Sequence, residues 1–238
     1  MQRVPRASVL LPVHNPGPYL GPALTSLRGQ TLGDAFEVVC VDDGCTDGSG
    51  EALDGVAAAD PRFRVLHPGR VGLIEAANLA AREARGHYRA RFDSDDAMHP
   101  RRLELQAAWL DDHPADDVVA SRVRHFPRPE VLGGNLAYEE WLNASLTHEE
   151  IAREFLVESP IPNPSAMWRP EVFERAGGYR DDGLPEDYDF WLRAFEAGAR
   201  FAKLPEVLHF WRDHGARVTR THPRYSVEAF LRAKAGYL

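Results

Sequence analysis

Three carboxylates crowd one short stretch. Asp93, Asp95 and Asp96 directly follow the strand-like run Gly86-His87-Tyr88-Arg89-Ala90-Arg91-Phe92. Like charges that close raise one another's pKa or recruit a cation. Hard oxygen ligands suit Mg²⁺ or Mn²⁺, which usually keep waters and bind through one or two carboxylates plus substrate phosphates. The plainer reading makes Asp93 or Asp95 the cap of a helix starting near His99-Pro100. A second acidic stretch, Asp42-Asp43-Gly44-Cys45-Thr46-Asp47-Gly48-Ser49, follows another apolar run. An acid there is well placed to accept hydrogen bonds from a base or a ribose, while Asp47, Gly48 and Ser49 suit turn and cap chemistry. A third set, Glu186, Asp187 and Asp189, opens an amphipathic segment after Gly183-Leu184-Pro185. First-turn acids are ordinary helix-dipole partners, but a carboxylate facing a cleft can deprotonate a hydroxyl.

Buried strands must position these groups. Residues 7–13 and 36–41 are continuous apolar runs with β-branched residues, as strands covered on both faces are. Residues 63–66 and 86–92 read as further strands. Helices are expected at 19–28, 50–59, 72–84 and 99–112, with another strand at 117–126. This alternation predicts an α/β fold with a mostly parallel sheet and helices on both faces. Ligands bind such sheets outside the carboxyl ends of the strands. Pro12 and His14, Asp42 and Asp43, and Asp93 and Asp95 all fall there, on one rim. Beyond residue 126, residues 127–134 read as loop. A capped helix follows at 147–157, then non-helical 159–164, a strand at 165–168 and a short helix at 170–176. The amphipathic helix spans 186–197, and a strand pair at 201–203 and 207–211 leads into Arg212-Asp213-His214.

A net charge of −8 over 238 residues argues against non-specific nucleic-acid binding. It leaves room for a nucleotide, whose phosphates a metal screens locally. Cys40 and Cys45 form no disulfide or zinc pattern. No apolar run is long enough to span a membrane and no signal-peptide pattern is present, so a soluble cytoplasmic protein is expected, with peripheral membrane association left open. Neither G-x-G-x-x-G nor Walker A follows the first strand.

Several pieces recur in a telling order: Ser8-Val9-Leu10-Leu11-Pro12-Val13-His14-Asn15, Val41-Asp42-Asp43-Gly44 with Thr46-Asp47, Asn78 in an alanine-rich helix closing at Gly86, Phe92-Asp93-Ser94-Asp95-Asp96, Gly177-Gly178-Tyr179, Glu186-Asp187 with Leu192-Arg193, and Trp211-Arg212-Asp213-His214. In these the chain resembles the inverting family 2 glycosyltransferases of the GT-A fold, from Ala7 to about Arg220. The resemblance implies a Rossmann-like GT-A domain over 1–238. A nucleotide-sugar half would take about 1–126, and a smaller acceptor-side region about 127–238. It implies that Pro12, His14 and Asp43 line the nucleotide pocket, with Asp43 on the base and Asp42 supporting its loop. Arg70 would lie near the base or phosphates, Asp93 and Ser94 on the donor, and Asp95 on Mg²⁺ or Mn²⁺. Arg212 and His214 would reach the diphosphate or the metal. Asp187 would be the base and Glu186 its neighbour near the acceptor. Trp168 and Tyr179, beside loops, are the aromatic candidates for touching that acceptor. His14 stands where the family usually has Tyr, which changes any stacking on the base.

The implied reaction moves a sugar from a nucleotide diphosphate donor, with a lean to uridine, onto a saccharide or other hydroxyl acceptor, as in surface polysaccharide or glycoconjugate synthesis. One in-line displacement with a single base gives inversion, unlike the two carboxylates of glycosidases. Two rivals compete. A non-catalytic nucleotide-sugar-binding module would not need Asp93, Asp95 and Asp187. A nucleotidyltransferase would want a glycine-rich phosphate loop where His14-Asn15-Pro16-Gly17-Pro18 stands.

Overall fold

A computed structural model describes residues 4–215 and 217–237. Strand β1 (Ala7–Val13) is buried along its whole length. Helix α1 (Leu20–Arg28), β2 (Phe36–Asp42), α2 (Ser49–Ala59), β3 (Phe63–Leu66), α3 (Leu73–Glu83) and β4 (Tyr88–Arg91) follow. Then come β5 (Ala97–Met98), α4 (Arg102–Asp112), β6 (Val118–Phe126), α5 (Gly133–Ala144), α6 (His148–Glu154) and β7 (Met167–Trp168). The chain continues through α7 (Pro170–Ala176), α8 (Glu186–Glu196), β8 (Phe201–Arg212), α9 (Val218–Thr221) and α10 (Val227–Ala235).

The strands form one eight-stranded sheet in the order β3-β2-β1-β4-β7-β6-β8-β5. β1 to β4 run parallel. β7 joins them antiparallel and pairs antiparallel with β6, which runs parallel to β8. The parallel half is as expected, and the second half makes the sheet mixed. Alternation along β1 and β2 sends Leu10, Val39 and Val41 into one core layer and Val9, Leu11, Val38 and Cys40 into the other. Burial on both faces is why these strands read as unbroken apolar runs.

Two expectations are corrected. The strand pair near residues 201–211 is one strand, β8, whose register against β6 skips from Leu204 opposite Ser121 to Val207 opposite Arg122. Pro205 and Glu206 are the exposed extra residues of this bulge, where a missing N–H disturbs no ladder. The stretch taken as loop gives way to α5 at Gly133. Its glycines offer little intrinsic helix propensity, but tertiary bonds hold the helix. The Asn143 side chain bonds Val123 N at 2.9 Å and Val123 O at 2.8 Å, and Glu139 accepts from His125 N at 2.6 Å. The capped start at Thr147 is borne out by reciprocal bonds with Glu150. Among the described residues no helix is long and apolar enough to cross a membrane.

Candidate active site

The carboxyl ends of β1, β2 and β4 open into a cleft of about 990 Å³, closed on its far side by the start of α8 and the segment carrying α9. Its groups fall into three sets.

The first is built on Asp43, only 1% exposed. Its Oδ1 accepts from Val71 N at 2.6 Å and Gly72 N at 2.8 Å, and its Oδ2 pairs with the Arg70 guanidinium. Gly44 allows this approach: its φ is +65°, and a Cβ there would sit 3.1 Å from Arg70 Cβ. His14 Nδ1 lies 2.8 Å from the Asp43 carbonyl oxygen, which fixes the proton on Nδ1. Pro12, His14 and Arg70 line the cleft beside Asp43. Asp42 does not line it. Its Oδ1 accepts from Cys45 N at 2.9 Å and its Oδ2 lies 3.2 Å from His67. It therefore stiffens the loop rather than facing a donor. Asp47 performs the turn chemistry, accepting from Gly17 N at 2.8 Å and Ser49 N at 3.1 Å.

The second set is the carboxylate turn. One oxygen from each of Asp93, Asp95 and Asp96 lies within 4.8 Å of the others. None caps α4, whose N-cap is Arg101 with no side-chain cap. Asp93 pairs with the buried Arg91 at 2.8 Å, and Ser94 lines the cleft beside it. Asp95 Oδ2 lies 2.8 Å from His214 Nε2. Asp96 is buried, 2.9 Å from His209 Nε2 and 2.7 Å from Arg212 N. Burial raises the pKa of Asp93, partly opposed by Arg91. Burial, then the charges of Asp95 and Asp93, drives that of Asp96 well up. The donor set fits a hard divalent cation, since carboxylates with one imidazole suit Mg²⁺ or Mn²⁺. His214 Nδ1 is buried without a hydrogen-bond partner among the described residues.

Arg212 is a further correction. Its Nε donates to the Asp95 carbonyl at 2.7 Å, and its guanidinium lies over the rings of Tyr19 and Phe126, 4.9 and 4.4 Å from their centroids. It does not line the cleft. Arg217 does, its guanidinium 4.8 Å above the Trp211 ring.

The third set opens α8. The Tyr225 hydroxyl shares its one proton between the two oxygens of Glu186, 2.7 and 2.8 Å away, and Arg224 lies 3.6 Å from Glu186. Asp189 is buried and paired with Arg193 at 2.7 Å. Asp187 faces the cleft. Removal from water, and then the neighbouring Glu186 charge, pushes its pKa up to about 7. Tyr179 edges the cleft, its hydroxyl 3.2 Å from Asn163 Oδ1. Trp168 is corrected. It is 0% exposed and packs edge-on against Trp191, 5.6 Å between centroids, so it cannot reach an acceptor. Sequence reasoning missed Arg91 and Tyr225, of which Arg91, a charge inside a strand, carried a local signal. The Arg-rich end from Arg212 to Arg224 reads as a phosphate-binding edge or a solvated surface, with Arg212 preferred, whereas Arg217 and Arg224 are the ones that line the cleft.

A family model described as Glycosyl transferase family 2 matches residues 8–177. The chain is similar to an uncharacterized glycosyltransferase, EpsJ, from Bacillus subtilis, 28% identical over 224 residues covering 91% of this chain and 63% of that relative. The chain thus spans less than two thirds of that relative's length. Among solved structures it is similar to S. aureus TarS 1-349 in complex with UDP-GlcNAc, with a TM-score of 0.74 and 20% identity, covering 91% of this chain and 61% of that one. A mannosyltransferase from Pyrobaculum calidifontis in complex with GDP-Man and Mn²⁺ gives a TM-score of 0.66 at 23% identity, covering 88% of this chain and 57% of that one. At such identities these structures speak for the fold, which is GT-A.

Proposed function

The chain belongs to glycosyl transferase family 2 and is a glycosyltransferase, and from that premise we propose that it transfers a sugar, with inversion, from a uridine diphosphate donor to a hydroxyl acceptor with the help of Mg²⁺ or Mn²⁺. The observation that carries this reading is that Asp43, Arg70, Asp93, Asp95 and Asp187 line one cleft. In this reading they serve the base, the diphosphate and the reacting carbon. It favours a donor-using enzyme over a bare binding module. We take 1–238 as one catalytic domain, with an acceptor of surface polysaccharide or glycoconjugate type.

Asp93, Asp95 and His214 would hold the cation, because Asp96 is already committed to His209 and Arg212. A bound Mg²⁺ or Mn²⁺ neutralises charge on a leaving diphosphate. The chain's own residues do the rest. Glu186, fixed by the Tyr225 hydroxyl, orients the acceptor and keeps the proton affinity of Asp187 high. Asp187 takes the acceptor hydroxyl proton while that oxygen attacks the anomeric carbon. The bond to the diphosphate oxygen breaks on the opposite face, so the anomeric configuration inverts. Arg217 brings positive charge to the same wall of the cleft.

The uridine reading comes from the Asp43–Arg70 edge. It sets an acceptor beside a donor, matching the N3–H and O4 of uracil and mismatching the reversed edge of cytosine; guanine offers the same pair in N1–H and O6, and the GDP arm below separates the two. A carboxylate has about four lone-pair sites, so Asp43 can accept from a base while keeping its three present bonds.

Thermal-shift measurements with UDP, GDP and CDP, with and without Mn²⁺, test the reading. UDP with Mn²⁺ is expected to raise Tm most, since ligand at 100 times its Kd adds about 2.7 kcal/mol. No rise with any nucleotide would defeat the donor assignment. Asp43→Ala is expected to weaken UDP binding by about 10-fold or more, equivalent to ~1.4 kcal/mol, in calorimetry without metal. If affinity survives and only Tm drops, Asp43 merely holds the 70–72 loop.

A further inference from the structure

Beneath the carboxylate turn lies a chain of polar side chains sealed from water. Arg102 and His209 are 0% exposed and Asp96 is 1% exposed. Arg102 donates to Gln106 Oε1 at 3.0 Å within α4, to the Arg91 carbonyl at 2.8 Å at the end of β4, and to the Ala166 carbonyl at 3.4 Å ahead of β7. Its Nη1 lies 3.3 Å from His209 Nδ1 on β8. A guanidinium can only donate, so Nδ1 accepts and the ring proton sits on Nε2. That Nε2–H then donates to Asp96 Oδ2 at 2.9 Å, while Asp96 Oδ1 accepts from Arg212 N at 2.7 Å.

Asp96 is therefore bonded on both oxygens, and its partners tie the 93–96 turn to β8, two residues before His214. An isolated buried charge is costly. This one is held by a defined tautomer that is itself set by a buried cation. Such a chain fixes where Asp95 and His214 stand relative to each other.

We propose that Arg102, His209 and Asp96 are positioning residues of the candidate metal site: they register the Asp93–Asp95 turn against the His214 segment, and Asp96 is not itself a ligand. The inference rests on the metal reading of the site given above. Partners that orient metal ligands typically contribute about 10–100-fold in metal affinity.

The experiment titrates Mn²⁺ into UDP-saturated protein and follows the paramagnetic signal of the free ion. Wild type, His209→Gln, His209→Leu and Asp95→Ala are compared, with UDP affinity measured separately without metal. Leu keeps the volume and loses both bonds, and is expected to weaken Mn²⁺ binding by about 10–100-fold while metal-free UDP affinity holds. Gln carries an acceptor and a donor and is expected to restore Mn²⁺ affinity close to wild type. Wild-type Mn²⁺ affinity in His209→Leu, an equal loss in His209→Gln, or a matching fall in metal-free UDP affinity would each overturn the proposal. Should His209→Leu fail to fold, Arg102→Lys keeps the buried cation without its fork. It is expected to lose Mn²⁺ affinity likewise, and an unchanged value overturns the inference. If Asp95→Ala loses Mn²⁺ and His209→Leu keeps it, the positioning inference alone fails. If wild type shows no binding that depends on Asp95, the metal reading itself fails.

Discussion

Asp187→Asn is expected to slow transfer by about 10²–10⁴-fold, the usual contribution of a positioned base, with donor and metal binding nearly unchanged. The amide keeps the size of the carboxylate and cannot take the proton. The pH profile sharpens the expectation. A base whose pKa is pushed to about 7 works only when ionised, so the wild-type rate should fall as pH drops through about 7. The residual activity of the variant should lose that limb. Stability supplies a second reading with a definite sign. The carboxyl is harder to ionise in the folded chain than in the unfolded one, so it contributes stability below the unfolded value that is lost as pH rises through about 7. Asp187→Asn should therefore raise Tm at pH 8, with the gain fading towards pH 4. If Asp187 were only a helix-dipole partner, its loss would cost about 0.3–1 kcal/mol and leave the rate alone. Near-normal transfer together with a lower Tm at pH 8 would move the base elsewhere.

Asp95→Ala is expected to abolish the Mn²⁺-dependent part of donor binding, a loss beyond the ~10–100-fold expected of residues that only orient ligands. Asp95 lies between Asp93 and His214, within reach of both. Its removal takes a central ligand while sparing the Asp43 end of the cleft. UDP affinity without metal should thus stay near wild type, and the increment from Mn²⁺ should disappear. Calorimetry with UDP, with and without Mn²⁺, decides it. An unchanged increment would show that the cluster is not a metal site.

Much of the parallel half of the sheet was legible because its signals are local. Strands buried on both faces appear as apolar runs, and their carboxyl ends name the rim directly. What failed depended on distant partners. β8 reads as two strands because Pro205 and Glu206 interrupt its pattern, and only the register against β6 shows a bulge. Trp168 sits beside a loop in sequence, yet the aromatic side chains of α8 cover it. Arg212 and Arg217 are both cations near the same motif, and sequence cannot say which one turns inward. The hydroxyl that holds Glu186 lies 39 residues further along the chain, beyond any spacing rule.

Asn78 has a consequence for motion. Its side-chain amide donates to the Tyr179 carbonyl at 2.9 Å and accepts from the Tyr179 N–H at 2.9 Å, copying a rung of a β-ladder between α3 and the loop before α8. It adds to the ladders of β4 with β7 and of β6 with β8 and to the Asp96 bonds to His209 and Arg212, so the two sides of the cleft are tied at several places. A hinge that swings one side away from the other would have to break all of these.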